Sequence, residues 1–161
     1  MTQNNVTRFL QARKIPFEVF EIPGGKRSAQ ETALLLNVSV GGVFKTIVLN
    51  VNPGKPILAV IPADKTADLK LIAKFLNEKK LEFPTPVEAE RLTGLKTGGI
   101  SALALINKGF RVLLDDSAHE MEWMHVSGGQ RGLNIKIRVN DFIIVTKARI
   151  APISRPTIGT D

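Results

Sequence analysis

Apolar residues change their spacing several times along the chain, and each change marks an element. In residues 5–14, Val6, Phe9, Leu10 and Arg13 recur at helical spacing, which predicts an amphipathic helix ended by Pro16. Phe17, Val19 and Ile22 then interrupt charged residues in a short strand pattern, and Pro23-Gly24-Gly25 reads as a turn. Ser28 followed by Glu31 is a capping box: hydroxyl and carboxylate each satisfy a backbone amide that the first helical turn leaves free. Residues 33–36 fit the helix behind it, with Asn37 as its stop. Residues 43–51 and 57–61 are rich in β-branched and apolar side chains. The turn chemistry of Asn52-Pro53-Gly54-Lys55 between them predicts a hairpin. Asp68 can cap a helix carrying Leu69, Ile72, Ala73, Phe75 and Leu76. Residues 81–83 form a short strand, and Pro86 opens a helix that Thr93-Gly94 closes.

Farther along, Lys96-Thr97-Gly98-Gly99-Ile100-Ser101 is a glycine loop. Residues 111–114, 123–126 and 133–139 read as strands, with Ser127-Gly128-Gly129-Gln130-Arg131-Gly132 between the last two. Asn140 or Asp141 can cap a closing helix over 142–148. From Pro152 onward little remains to bury, so residues 151–161 are expected to form a mobile tail after a domain spanning 1–150. Helices and strands intermix without the regular alternation of a doubly wound sheet. The expectation is one α+β domain, with a mixed and mostly antiparallel sheet among surrounding helices.

Composition narrows the chemistry. A chain of 161 residues with 43% hydrophobic and 23% charged positions suits one globular domain. It has no cysteine, which excludes disulfides, a thiol nucleophile and thiolate metal ligands. Only two histidines exist, His119 and His125, so no histidine-rich metal site can form. No metal or other cofactor is expected. No run approaches the roughly 18 apolar residues of a membrane helix, and no early segment resembles a signal peptide, so the expected compartment is the cytoplasm. The net charge is +7, concentrated in residues 1–80, where twelve Lys and Arg face six Asp and Glu. Such an excess fits either a polyanionic partner, whose counterions Lys and Arg displace, or a basic soluble surface. Arg8, Arg13, Lys14, Lys26 and Arg27 are the candidate contacts.

Few side chains remain that could do chemistry. Lys45 shares a strand face with Val43, Ile47 and Leu49, whereas Phe44, Thr46 and Val48 take the other. A lysine so flanked reaches a cleft, an anion or a carboxylate, unless it merely guards a strand edge. Gly98-Gly99 can present backbone amides to a phosphate or a developing oxyanion, or can be a plain turn. Ser127-Gly128-Gly129 offers the same choice as a hairpin loop. Ser101 and Ser127 lie outside any nucleophile-elbow motif. Asp115 and Asp116 can hold a water, position Lys45 or start a turn, and both histidines read as structural or surface residues.

Six segments in order resemble the YbaK/EbsC family, which includes the editing domain inserted in bacterial prolyl-tRNA synthetases. They are Val43-Phe44-Lys45-Thr46, Ile61-Pro62-Ala63-Asp64 with Asp68-Leu69-Lys70, Leu92-Thr93-Gly94, Gly98-Gly99-Ile100-Ser101, Leu114-Asp115, and Ser127-Gly128-Gly129 with Arg131-Gly132-Leu133. The resemblance covers about residues 5–148. It implies the α+β fold of the YbaK and prolyl-tRNA synthetase-associated domains, with one central pocket. It also implies hydrolysis of the ester between an amino acid and a tRNA. Lys45, Gly98, Gly99 and Ser101 take the catalytic positions; Thr46, Ile100, Asp115, Ser127, Gly128 and Gly129 take the substrate-binding ones. The implied partners are aminoacyl-tRNA, first of all tRNA(Pro) carrying cysteine or another small amino acid, and prolyl-tRNA synthetase; no membrane and no DNA are expected. Members acting on cysteinyl-tRNA(Pro) often carry proline soon after the glycine pair, where this chain has Ser101-Ala102-Leu103, which leaves the amino acid open. Two alternatives remain: a tRNA- or nucleotide-binding module of the same fold without catalysis, and a protein-interaction domain with a basic face.

Overall fold

Four helices begin on a side-chain cap, as their sequences dictate. In the computed structural model, which describes residues 3–23, 27–51 and 53–157, Asn4 and Thr7 form a capping box on α1 (Asn5–Ala12). Ser28 and Glu31 do the same on α2 (Ala29–Leu36), which stops at Asn37 in the left-handed region at φ 58°. Asp68 caps α3 (Leu69–Leu76), and Thr85 caps α4 (Pro86–Thr93), with Pro86 in its first turn. Each cap satisfies an amide that the helix itself cannot reach.

The strands are β1 (Phe17–Glu21), β2 (Phe44–Val51), β3 (Ile57–Pro62), β4 (Lys65–Ala67), β5 (Leu81–Glu82), β6 (Arg111–Asp115), β7 (Trp123–Ser127), β8 (Leu133–Arg138), β9 (Arg149–Ala151) and β10 (Ser154–Pro156). A five-stranded sheet has the order β5-β2-β3-β6-β9; β2 and β3 form the expected antiparallel hairpin, while β6 runs parallel to both β3 and β9. An antiparallel sheet of order β1-β8-β7 lies beside it, joined by a parallel bridge between Val43 and His125. The inner face, with Phe44, Val48, Val60, Leu114, Met124, Val126, Ile135 and Ile137, builds the main core against α1, the 3-10 segment Ala102–Lys108 and α5 (Val139–Thr146). The outer face is covered in parts: α2 packs its Ala33 and Leu36 with Val43, and α3 packs Ile72 with Leu49, Ile57 and Ile61.

Two expectations need correction. Helix α5 begins at Val139, not at 142, and has no side-chain cap. Buried Val139 instead donates its N–H to the carbonyl of Glu122 (2.8 Å), so a tertiary bond replaces the local signal. Residues 152–157 are not a loose tail. Strand β10 pairs with β4, and Ile153 between β9 and β10 is fully buried. The predicted turn at Gly24-Gly25, Asn52 of the hairpin turn, and Lys26 lie outside the described residues.

Candidate active site

Lys45 follows buried Phe44 in β2 and faces Ile61 across the hairpin. Strand alternation places it on the outer face, between the cluster under α2 and the cluster under α3. It is half-buried. Withdrawing an ammonium from water disfavours its charge and lowers its pKa from the ordinary 10.5; the Asp64 carboxylate opposes this, less strongly. Asp64 stands just beyond β3, where the hairpin ladder is prolonged by the Ala63 amide donating to the Val43 carbonyl (2.7 Å). Its Oδ1 is buried and has no hydrogen-bond partner among the described residues, and the two charges are within electrostatic reach without ion-pair contact. A buried acceptor left unpaired is costly, so a fold rarely keeps one without a use for it. Sequence reasoning did not single out Asp64. Its signal was its place immediately after the strand that pairs with Lys45.

The two glycine loops lock together. Thr97 is clamped at both backbone groups: its N–H donates to Glu90 Oε2 of α4 (2.8 Å), and its carbonyl accepts from Arg131 Nε (2.6 Å). The bond from the Thr97 amide holds the Glu90 carboxyl below its ordinary range. Gly98 adopts φ 92°, which favours glycine. Gly99 is pressed on the second loop, since a Cβ there would stand 2.8 Å from Gln130 Cα and 2.9 Å from Arg131 N. That second loop is fixed in turn by Asn4 Nδ2, which donates to the Gly128 carbonyl (2.9 Å), and by the Ile22 amide, which donates to the Gly132 carbonyl (2.7 Å). Gly129, at φ 95°, fits against Val6 and Ala104. Strand β7 feeds this loop. From the bridge between Val43 and His125, Lys45 and Ser127 are each two residues onward along neighbouring strands, on the same outer face.

The expected site residues therefore divide. Lys45 and Ser127 lie on neighbouring strands of one face; Gly128 is buried against Leu133 and Ile135, Gly129 fits against Val6 and Ala104, and Gly98 and Gly99 pack on Gln130 and Arg131. Thr46 points to the opposite face from Lys45, and half-buried Ile100 packs on the main core. Ser101 is 1% exposed, and its Oγ accepts from the Leu103 amide (3.2 Å), capping the 3-10 segment that follows. Ser127 Oγ accepts from the Gly129 amide (3.2 Å). Asp115 is used up as scaffold: Oδ1 accepts from the Ile153 amide (3.1 Å), and Oδ2 from the Ser117 amide (3.3 Å) and hydroxyl (2.6 Å). It begins a turn, as one of its readings held.

One candidate oxyanion donor is also spent, because the Gly99 amide donates to the Lys96 carbonyl (2.8 Å). The amides of Gly98, Ile100 and Ser101 have no acceptor among the described residues. Neither histidine forms a relay with a serine: His119 is exposed, and buried His125 bonds through Nδ1 to Asn134 Oδ1 (2.9 Å). Among the described residues no three His, Asp or Glu side chains stand together as metal ligands, and no helix is long and apolar enough to cross a membrane. Two surface clefts, of about 530 Å³ by Phe9 and Thr146 and about 300 Å³ by Trp123 and His125, include neither Lys45 nor the Gly98-Gly99 loop.

A lysine of lowered basicity lies within electrostatic reach of the Asp64 carboxylate, and two glycine loops pack together on an α+β scaffold. Residues 24–144 match the sequence pattern of the aminoacyl-tRNA editing domain, and the chain belongs to that family, as an aminoacyl-tRNA deacylase. It is 30% identical to a protein of Enterococcus faecalis named for Cys-tRNA(Pro)/Cys-tRNA(Cys) deacylation, EbsC, covering 94% of this chain and 93% of that one. It is 27% identical over 105 residues to a proline–tRNA ligase of Fervidobacterium nodosum, of which it spans only 18%. Its fold matches the hypothetical protein APE2540 (TM-score 0.85, 22% identity, 94% of this chain and 100% of that one). It also matches a structure described as a trans-editing enzyme for prolyl-tRNA synthetase (TM-score 0.82, 22% identity, 96% and 99%).

Proposed function

We propose that the chain edits in trans, hydrolysing the ester of a small amino acid wrongly carried by tRNA(Pro), with cysteine the first candidate. The observation that carries this reading is half-buried Lys45 within electrostatic reach of Asp64, whose buried Oδ1 has no partner among the described residues. An aminoacyl ester is already activated, so positioning, charge stabilisation and access for water suffice. Water adds to the carbonyl carbon, the bond to the ribose oxygen breaks, and that oxygen leaves with a proton as the free hydroxyl. Lys45 donates to the carbonyl or to the ribose, and Asp64 Oδ1 accepts from a hydroxyl or the attacking water. The free amides of Ile100 and Ser101 receive the oxyanion. The relative named for Cys-tRNA(Pro)/Cys-tRNA(Cys) deacylation supports cysteine and tRNA(Pro) as the substrate. A synthetase pocket separates such small side chains by only about 10–200-fold per methylene, which a second site must improve. The test is a panel of tRNAs mischarged with Cys, Ala or Ser, scored for loss of the aminoacyl group. Release of cysteine from tRNA(Pro) at catalytic enzyme concentration is expected. Binding of every tRNA with cleavage of none leaves the non-catalytic reading in its place.

A further inference from the structure

The outer face does not end at Ser127. Toward the start of β7 it continues through His125 to Trp123; beside them on β8 run Asn134, Lys136 and Arg138, in the register Ser127–Asn134, His125–Lys136, Trp123–Arg138. Trp123 is the sole tryptophan of the chain and stays half-exposed, while its neighbour Met124 turns into the core. Two cations attend the indole, Arg138 with Cζ 4.8 Å and Lys136 with Nζ 5.1 Å from its centroid. Trp123, His125 and Lys136 border the cleft of about 300 Å³ with the segment of Val38, Ser39 and Gly42. That volume is at the small end for ligand pockets and suits one planar group. His125 Nδ1 is engaged by Asn134 Oδ1, and its Nε2 has no partner among the described residues.

We propose that this face seats the single-stranded acceptor end of the tRNA, with an unpaired base stacked on Trp123 and adjoining phosphates on Lys136 and Arg138. The inference rests on the deacylase reading above. Single-stranded nucleic acid is held by aromatic platforms flanked by positive charge, and this face supplies both within one strand pair. The distance fits, because four strand residues place Trp123 roughly 13 Å from Ser127, within reach of the nucleotides that adjoin the ester. Lys136 and Arg138 now face Glu18 (3.3 Å) and Glu122 (3.7 Å), but both acids are largely exposed, and such pairs exchange readily for phosphate. An acidic peptide would use the two cations and leave the indole and its cleft unused.

Because the chain has one tryptophan and no tyrosine, its fluorescence reports this surface alone. Intact protein is titrated with unacylated tRNA(Pro) and with the same tRNA lacking its last three nucleotides. Saturable quenching by the intact tRNA and binding about tenfold weaker for the truncated one are expected. Trp123→Ala, checked for an unchanged melting temperature, is followed by filter binding and should weaken binding about tenfold; Trp123→Phe, which keeps a stacking ring, should largely restore it. Lys136→Gln with Arg138→Gln should lower the slope of log affinity against log salt by roughly 1.4. If filter binding gives wild-type affinity for Trp123→Ala, or if saturating tRNA leaves the fluorescence unchanged, the platform is wrong while deacylation stands. Equal quenching by poly-glutamate would overturn it in favour of an acidic protein partner. If instead the wild type cleaves no mischarged tRNA, it is the deacylase reading that fails, whatever the fluorescence shows.

Discussion

Gly99→Ala adds one methyl group where the two loops already touch. Its Cβ would lie 2.8 Å from Gln130 Cα, 2.9 Å from Arg131 N and 2.9 Å from Gln130 C, all backbone atoms that no rotamer change can move aside. The Gly99 φ is outside the left-handed region, so the penalty is purely steric. Overpacking of this kind costs about 1–3 kcal/mol, which for a domain of this size lowers the melting temperature by about 2–12 °C. The loops must part, and the free amides of Ile100 and Ser101 move with them. Displacing catalytic groups by about 1 Å can cost 10²-fold in rate. Gly98→Ala is the informative control: it forces alanine to φ 92°, a strain of ~1–3 kcal/mol, yet its Cβ meets only the Arg131 side chain at 3.4 Å. The two variants should lose similar stability, but Gly99→Ala should lose far more activity. Single-turnover deacylation of Cys-tRNA(Pro) and thermal melting on the same samples decide it. Wild-type turnover in Gly99→Ala, or equal loss of activity in both variants, would refute the claim that loop contact positions the donors.

Lys45→Met should abolish turnover and leave the melting temperature within about 2 °C of wild type, because the charge removed was poorly solvated. Folding lowers the Lys45 pKa, so the unfolded chain binds more protons between the folded value and 10.5; wild-type stability should therefore gain on that of Lys45→Met as pH rises into that window. Burial likewise lowers the His125 pKa from 6.5, so its contribution is a loss of stability as pH falls through and below 6.5, and a melting series from pH 7 to 5 should be flatter for His125→Gln. Ser127→Ala should retain measurable activity, and Ser101→Ala should lose stability by about 0.5–2 kcal/mol, as a lost cap does; a covalent aminoacyl-serine trapped on either residue would overturn the water mechanism.

Local chemistry made much of this fold legible. The helix starts at Ser28, Asp68 and Pro86 and the hairpin of β2 and β3 need only neighbouring residues, and each formed where its sequence placed it. Elements stabilised from a distance were not visible. Strand β10 has three residues and pairs with β4 across a large sequence separation, next to the point where Asp115 catches the Ile153 amide. The start of α5 depends on the Glu122 carbonyl in the same way. At the site, alternation already separated Thr46 from Lys45, and the structure keeps them apart. A serine or aspartate in sequence, however, cannot be told apart as cap or catalyst. Ser101 and Asp115 both proved to have their oxygens engaged, whereas Asp64, with an oxygen unengaged among the described residues, stood in the sequence only as the last residue of Ile61-Pro62-Ala63-Asp64.

That contrast bears on what the site is for. Stability alone would favour an apolar residue at position 45, since Val43, Ile47 and Leu49 share its face, and a paired or absent carboxylate at position 64. Burying the Lys45 ammonium costs free energy that the attraction of Asp64 offsets only in part. The two groups lie within electrostatic reach of each other, and Lys45 shares its face with Ser127 on the neighbouring strand. Ser101 and Ser127 each use their hydroxyl to hold a backbone amide. A cleavage that begins from an activated ester needs a placed water and a stabilised oxygen more than it needs a nucleophile. In the proposed mechanism Lys45 and Asp64 serve the first two requirements, while Ser101 and Ser127 hold loop backbone.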